Sequence, residues 1–126
     1  MKEVMAIIRM QKMNETKRAL ADAGISSITA KDVLGRGSTR VDQKLLESAK
    51  AGHEEAIALL ETGPRLAAKR MLWIVVPDKL VQKTVKTIIH VNQTGQSGDG
   101  RIFVMPILDA VRVRTSENGD AAIDEV

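Results

Sequence analysis

An α+β domain with the element order β-α-β-β-α-β is the fold class this sequence predicts. Three observations predict it. Four apolar stretches, at residues 3–9, 25–35, 68–77 and 101–115, carry the β-branched character of strands. Two stretches between them place apolar residues at helical spacing. A segment bounded by breakers separates the second and third strands.

Each element has its own justification. "EVMAIIR" is apolar and partly β-branched, as a buried strand is. In "MNETKRALADAG", Asn14 can cap a helix, Leu20, Ala21 and Ala23 supply its apolar side, and Gly24 can stop it. "ISSITAKDVLG" reads as the second strand, closed by Gly35. Beyond the breakers of "LGRGSTR", Leu45, Leu46, Ala49, Ala56, Ile57 and Leu60 recur near helical spacing, and Gly52 interrupts them. "AKRMLWIVVP" is a third strand that Pro77 ends. Asp78 can cap a second helix with Val81, Val85, Ile88 and Ile89 on its inner face. "RIFVMPILDAVRVRT" is a strand broken near Pro106 and resumed as "VRVR", and the acidic residues 116–126 form a loose tail.

This order is the split βαβ, or ferredoxin-like, pattern: an antiparallel sheet with two helices on one face. The strands are too apolar to leave the other face wet, so a second subunit is expected to cover it.

At 126 residues the chain fits one domain, residues 1–126. Aromatic residues are only 2%, so the core must be aliphatic. The absence of cysteine removes disulfides and thiolate chemistry and suits a reducing, cytoplasmic setting. No run approaches the roughly 20 apolar residues of a membrane span, and Arg9 interrupts the apolar start. The net charge of +3 is mild, with no basic stripe and no stacking aromatics, which argues against a nucleic-acid partner. Small anions suit it better.

Three clusters could carry anion chemistry. Gly98, Asp99, Gly100 and Arg101 lie in "TGQSGDGRIF": glycines admit backbone N–H groups close to an oxyanion, and an arginine can fork onto phosphate. Taken alone, an ordinary helix-to-strand turn accounts for them. Arg112 and Arg114, at i and i+2 on an expected strand, would share a face roughly 6.5–7 Å apart; a solvated strand face explains them as simply. Gly35, Gly37 and Lys69 form the third cluster, where a lysine at the foot of an apolar strand needs an anion or a path to water. His53 and His90 stand alone, so no metal site is expected. No acid/base pair, triad or nucleophile elbow is present, so an enzyme is not expected.

Together these motifs resemble those of the PII signal-transduction proteins. "TGQSGDGRIFV" followed by "RVRT", with "ITAKDVLGRG" and "WIVVPDKLV" before them, occurs in the same order in that family. The resemblance spans all but the insertion and the tail. It implies a trimer of ferredoxin-like subunits that binds ATP or ADP, with Mg2+ beside ATP, in clefts between neighbours. Residues 94–101 would be the family's B-loop, cradling phosphates with Gly98, Asp99, Gly100 and Arg101. Arg112 and Arg114 would reach them from the adjacent subunit. Thr29, Gly35, Gly37 and Ser38 would surround the adenine and the start of the T-loop, and Ile7 and Val75 would form apolar walls. Lys69 would pair with a carboxylate of 2-oxoglutarate, the effector.

The T-loop, about residues 38–68, departs from the family. It is longer than usual. The chain has no tyrosine, so uridylylation of a T-loop tyrosine is excluded. Thr39 stands where a Mg-coordinating glutamine is common, and Ser38 where an arginine is. A long, tyrosine-free T-loop resembles the PII branch encoded with nitrogenase. That resemblance implies a homotrimer, or a mixed assembly with a paralogous PII subunit, that binds dinitrogenase. Leu45, Leu46, Ile57 and Leu60 are the candidate partner-contact residues. Another target, such as an ammonium channel or a biosynthetic enzyme, and a nucleotide-binding enzyme of the same fold, are the competing readings.

Overall fold

The computed structural model describes residues 1–37, 50–52 and 66–123. Ser38, Thr39, Leu45, Leu46, Ile57, Leu60 and His53 lie outside the described residues. The elements are β1 (Lys2–Arg9), α1 (Met13–Asp22), β2 (Thr29–Gly35), β3 (Ala67–Val76), α2 (Val81–Asn92) and β4 (Arg101–Pro106). The chain divides into two compact units, Met1–Val33 with Lys69–Val126, and Leu34–Ala68.

The strands form one sheet in the order β2-β3-β1-β4. Both neighbours of β1 run antiparallel to it, with Val4 opposite Ile74 and Val104, and Ile7 opposite Met71 and Arg101. This is the predicted ferredoxin-like α+β fold.

Alternation along β1 and β3 sorts the side chains into two sets. Val4, Ala6, Ile8, Leu72, Ile74 and Val76 are buried with Leu20, Ile25 and Ile88 in one aliphatic core. The other face carries Met5, Ile7, Met71, Trp73 and Phe103, which are cross-strand neighbours in register. Neither α1 nor α2 covers that face, and Phe103 is 40% exposed. An uncovered apolar face of this kind is what the sequence predicts.

Helix α1 ends as its glycine foretells. Gly24 has φ 88°, the Ile25 N–H donates to the Leu20 carbonyl, and the Gly24 N–H donates to the Ala21 carbonyl. This is a Schellman closure, with Ile25 and Leu20 meeting in the core.

The helix starts differ from the sequence expectation. Asn14 caps nothing: a 3-10 turn at Met10–Lys12 runs into α1, which places Asn14 inside the first turn. Asp78 also caps nothing. It opens the 3-10 turn Asp78–Leu80, and its carboxylate takes the Met1 ammonium at 3.0 Å and Lys2 at 3.4 Å instead. Those two cations, the ammonium first, lower its pKa.

The inner face of α2 also departs from expectation. Ile89 is 43% exposed, while Thr84 and Asn92 are buried with Ile88. Helical spacing of four carries the buried stripe through residues 84, 88 and 92. Polar residues can occupy it because their donors are bonded: Thr84 donates to the Leu80 carbonyl at 2.7 Å. Asn92 Nδ2 donates to Thr16 Oγ1 at 3.0 Å and to the Ile88 carbonyl at 2.9 Å. Thr16 in turn donates to the Lys12 carbonyl at 2.7 Å. One buried side-chain hydrogen bond thus links α1 to the last turn of α2.

Replacing Thr16 by Val removes that acceptor and leaves a buried amide donor short of a partner. Urea unfolding should show a loss of about 1–3 kcal/mol. The double replacement Thr16→Val with Asn92→Leu should recover most of it; additive losses would show that the bond does not matter.

Candidate functional site

The glycine-rich loop between α2 and β4 is built around one carboxylate. Asp99 accepts from the Thr94 N–H at 2.7 Å, the Gly95 N–H at 2.9 Å and the Thr94 hydroxyl. Arg9, the last residue of β1, donates to the same carboxylate at 2.8 Å and reaches the Ser97 carbonyl with its other amino group at 3.1 Å. The loop is therefore closed on itself and tied to the sheet. The donors, led by the Thr94 hydroxyl, hold the Asp99 carboxyl well below the usual carboxylate range.

The glycines are required by this path. Gly95, Gly98 and Gly100 have φ of 84°, 97° and 114°, a region L side chains rarely enter. A Cβ at Gly100 would collide with the Ile7 carbonyl oxygen, and one at Gly98 would sit 3.2 Å from the Arg9 guanidinium. The loop lies directly against β1 for this reason. The Asp99 bonds use the N–H groups of Thr94 and Gly95 and none from Gly98 to Gly100. Positive-φ glycines with nearby cations form the kind of concavity that takes an oxyanion.

Six of the predicted residues come together at this end of the sheet. Ile7 pairs with Arg101 and with Met71, and Arg9 pairs with Lys69. Ile7, Lys69, Gly98, Asp99, Gly100 and Arg101 thus surround the end of β1. Lys69 is half-buried and makes no ion pair among the described residues. Arg9 and Thr94, which organise the loop, were not singled out as site residues from sequence. Arg9 was visible only as a charge interrupting an apolar run.

Of the other predicted residues, Val75 does not join them. Val75 pairs with Glu3 near the opposite end of β1. Thr29 is exposed at the start of β2. Gly35 ends β2 and Gly37 follows it, and neither has a positive φ, so no backbone conformation demands glycine there.

Arg112 and Arg114 correct the sequence reading most clearly. They are not at alternate positions of a strand: β4 stops at Pro106, and residues 113–115 form a turn closed by a bridge between Val111 and Asn118. A proline ends the ladder, and local hydrogen bonds replace it. The Ile107 N–H donates to the Met1 carbonyl. Asp120 lines a shallow groove with Met1, Pro77, Asp78 and Lys79. The segment with both arginines therefore starts and finishes at the Met1 end. The glycine loop stands at the Arg9 end, about 23 Å away along β1.

Two substitutions probe the loop. Gly100→Ala forces a Cβ into the Ile7 carbonyl at positive φ, and should destabilise the protein by about 2 kcal/mol or more in urea. Asp99→Asn keeps the shape and removes the charge. Because the folded carboxyl titrates below the unfolded value of about 3.9, its stabilisation is complete above that value and is lost as pH falls further. The Tm gap between wild type and Asp99→Asn should be widest above about pH 5 and close as acid is added. A gap unchanged by acid would rule the charge out.

Known proteins resemble this chain over its whole length. The family model for nitrogen regulatory protein P-II matches residues 1–117. The nitrogen fixation nifHD region GlnB-like protein 2 of Methanobacterium ivanovii is 48% identical over 98% of this chain and 99% of that protein. The nitrogen regulatory protein P-II 1 of Escherichia coli is 38% identical over 98% of this chain and all of that protein. Among solved structures, Arabidopsis thaliana PII bound to citrate superposes with a TM-score of 0.72 at 33% identity, covering 97% of this chain and 91% of that one. The arrangement of sheet, glycine loop and paired arginines thus sits in a chain that belongs to the nitrogen regulatory protein P-II family, of the nifHD-associated GlnB-like type.

Proposed function

We propose that this chain is a nucleotide and 2-oxoglutarate sensor that regulates nitrogenase by direct contact, and is not an enzyme. The carrying observation is the Asp99-locked loop at the Lys69 end of the sheet, in a P-II chain. The residues present fit a phosphate group. Gly98 and Gly100 leave the loop backbone without Cβ atoms, Arg101 follows at once, and the loop's own carboxylate is already paired with Arg9 and hydrogen-bonded by Thr94. ATP or ADP would lie there with Ile7 as an apolar wall. Thr29, Gly35, Gly37, Ser38 and Val75 are assigned to the nucleotide by family resemblance. Mg2+ would accompany ATP and offset phosphate charge. Lys69, beside Arg9 in register, would take a carboxylate of 2-oxoglutarate, with Thr39 near it. A relative solved with citrate supports carboxylate binding in this family.

The separation of the arginines from the loop supports an assembly. The segment that carries Arg112 and Arg114 is anchored at the Met1 end of the sheet, so a neighbouring copy would supply them. A homotrimer, or a mixed assembly with a paralogous P-II subunit, does this and covers the Met5–Trp73–Phe103 face. The relatives' nifHD naming supports dinitrogenase as target. Leu45, Leu46, Ile57 and Leu60 of the T-loop are the proposed contact residues, and the cytoplasm the proposed setting. Effector and target would act through linkage: each shifts the T-loop only by its differential affinity for two states.

Calorimetric titration tests this reading. Mg-ATP should bind, and 2-oxoglutarate should bind only in its presence, to a particle about three times the 13.7 kDa chain mass. Lys69→Ala should abolish the 2-oxoglutarate heat and leave ATP affinity within about twofold. Absence of ATP binding would sink the sensor. Failure to capture dinitrogenase under any effector condition, alone or with the paralogue, would sink the target.

A further inference from the structure

The segment after β4 holds itself in shape with local bonds rather than with the core. Leu108, Val111 and Val113 are all exposed, Val113 fully so. Backbone bonds and the Val111–Asn118 bridge close the segment, and a pair of carboxylates adds to them. Asp109 accepts the Ala110 and Gly119 N–H groups and closes its base. Glu117 closes its tip. Its backbone carbonyl accepts the Arg112 N–H at 2.8 Å, and its Oε1 accepts Arg112 Nη1 at 2.9 Å and the Thr115 hydroxyl at 2.7 Å. Ser116 turns the chain back at φ 64°, a conformation uncommon outside glycine. That turn is what brings Glu117 over Arg112.

We infer that Glu117 is a positioning residue for phosphate: it fixes the Arg112 guanidinium before nucleotide arrives from a neighbouring copy. The inference rests on the nucleotide reading above. An exposed arginine loses rotamer freedom when it grips an anion. Here that freedom is restricted in the folded chain, so less is lost on binding. The guanidinium carries five donors in a rigid fork. The Thr115 hydroxyl orients the carboxylate in turn, so three side chains in one turn share the task. The opposite effect, a carboxylate that competes with phosphate for Arg112, predicts the opposite sign.

The test is a double-mutant cycle read by Mg-ATP calorimetry on the assembled protein. Glu117→Gln should weaken ATP binding about three- to tenfold, as expected when a charge-assisted hydrogen bond becomes a neutral one. In an Arg112→Ala background the same replacement should change ATP affinity by less than about twofold. Unliganded stability in urea and particle size should match the wild type in Glu117→Gln. Tighter ATP binding in Glu117→Gln would overturn the inference in favour of competition. Additive losses in the cycle, or a fall in unliganded stability, would assign Glu117 to the turn alone. Wild-type protein that binds no ATP would remove the nucleotide reading and this inference with it; wild-type binding with an unaltered Glu117→Gln would remove only the inference.

Discussion

The contact between Arg9 and Asp99 is the constraint on which the glycine loop depends. Arg9 is the last residue of the central strand, and its guanidinium holds both the Asp99 carboxylate and the Ser97 carbonyl. The loop's geometry is therefore set by its own donors to Asp99 and by the sheet together. Three positive-φ glycines make that arrangement possible, because Gly100 passes so close to the Ile7 carbonyl that no Cβ fits. A carboxylate in a proposed phosphate site would ordinarily repel its ligand. Here it faces inward onto four donors, and its charge organises the loop instead of confronting the anion.

The same strand carries the division of labour in the sheet. Its even-numbered residues Val4, Ala6 and Ile8 hold the helices, while Met5 and Ile7 face away from them. Because alternation is strict, one side cannot be altered by a register slip without exposing the other. The link between Asn92 and Thr16 adds a directional element to an otherwise aliphatic core. Asn92 ends α2 two residues before Thr94, so the tie between the helices also sets where the loop begins.

Much of this was legible in the sequence, and the exceptions share a cause. The element order and Gly24 as a stop follow from local chemistry and stand as read, while the strand broken at Pro106 does not resume after it. Three of the strands were legible because aliphatic, β-branched runs have few other uses in so small a chain, while β2, TAKDVLG, is mostly exposed. What escaped were long-range pairings. Asn14 and Asp78 look like caps, but 3-10 turns lead into both helices and leave Asn14 inside α1 and Asp78 ahead of α2, and Asp78 finds the Met1 ammonium. Ile89 looks like core, but Asn92 takes the buried place through a partner 76 residues away. Arg9 organises the loop across 90 residues of chain. Arg112 and Arg114 look like a strand face, but "VRVR" has no neighbouring strand to pair with within the described residues, and a turn forms instead.

That last difference changes what the arginines can do. On a strand they would have been fixed by a ladder and aimed by pleat alone. In a turn their aim depends on side-chain partners, and Arg112 has one in Glu117. A strand delivers two charges to one face at a set spacing; a turn lets one arginine be oriented independently of the next. The loop at one end of β1 and the turn at the other are thus built alike, each around a carboxylate that fixes an arginine, Asp99 with Arg9 and Glu117 with Arg112. On the proposed reading, a ligand held by the loop of one copy and the turn of another would report on the assembly as well as on its own concentration, since its binding energy would depend on how the copies are set against each other.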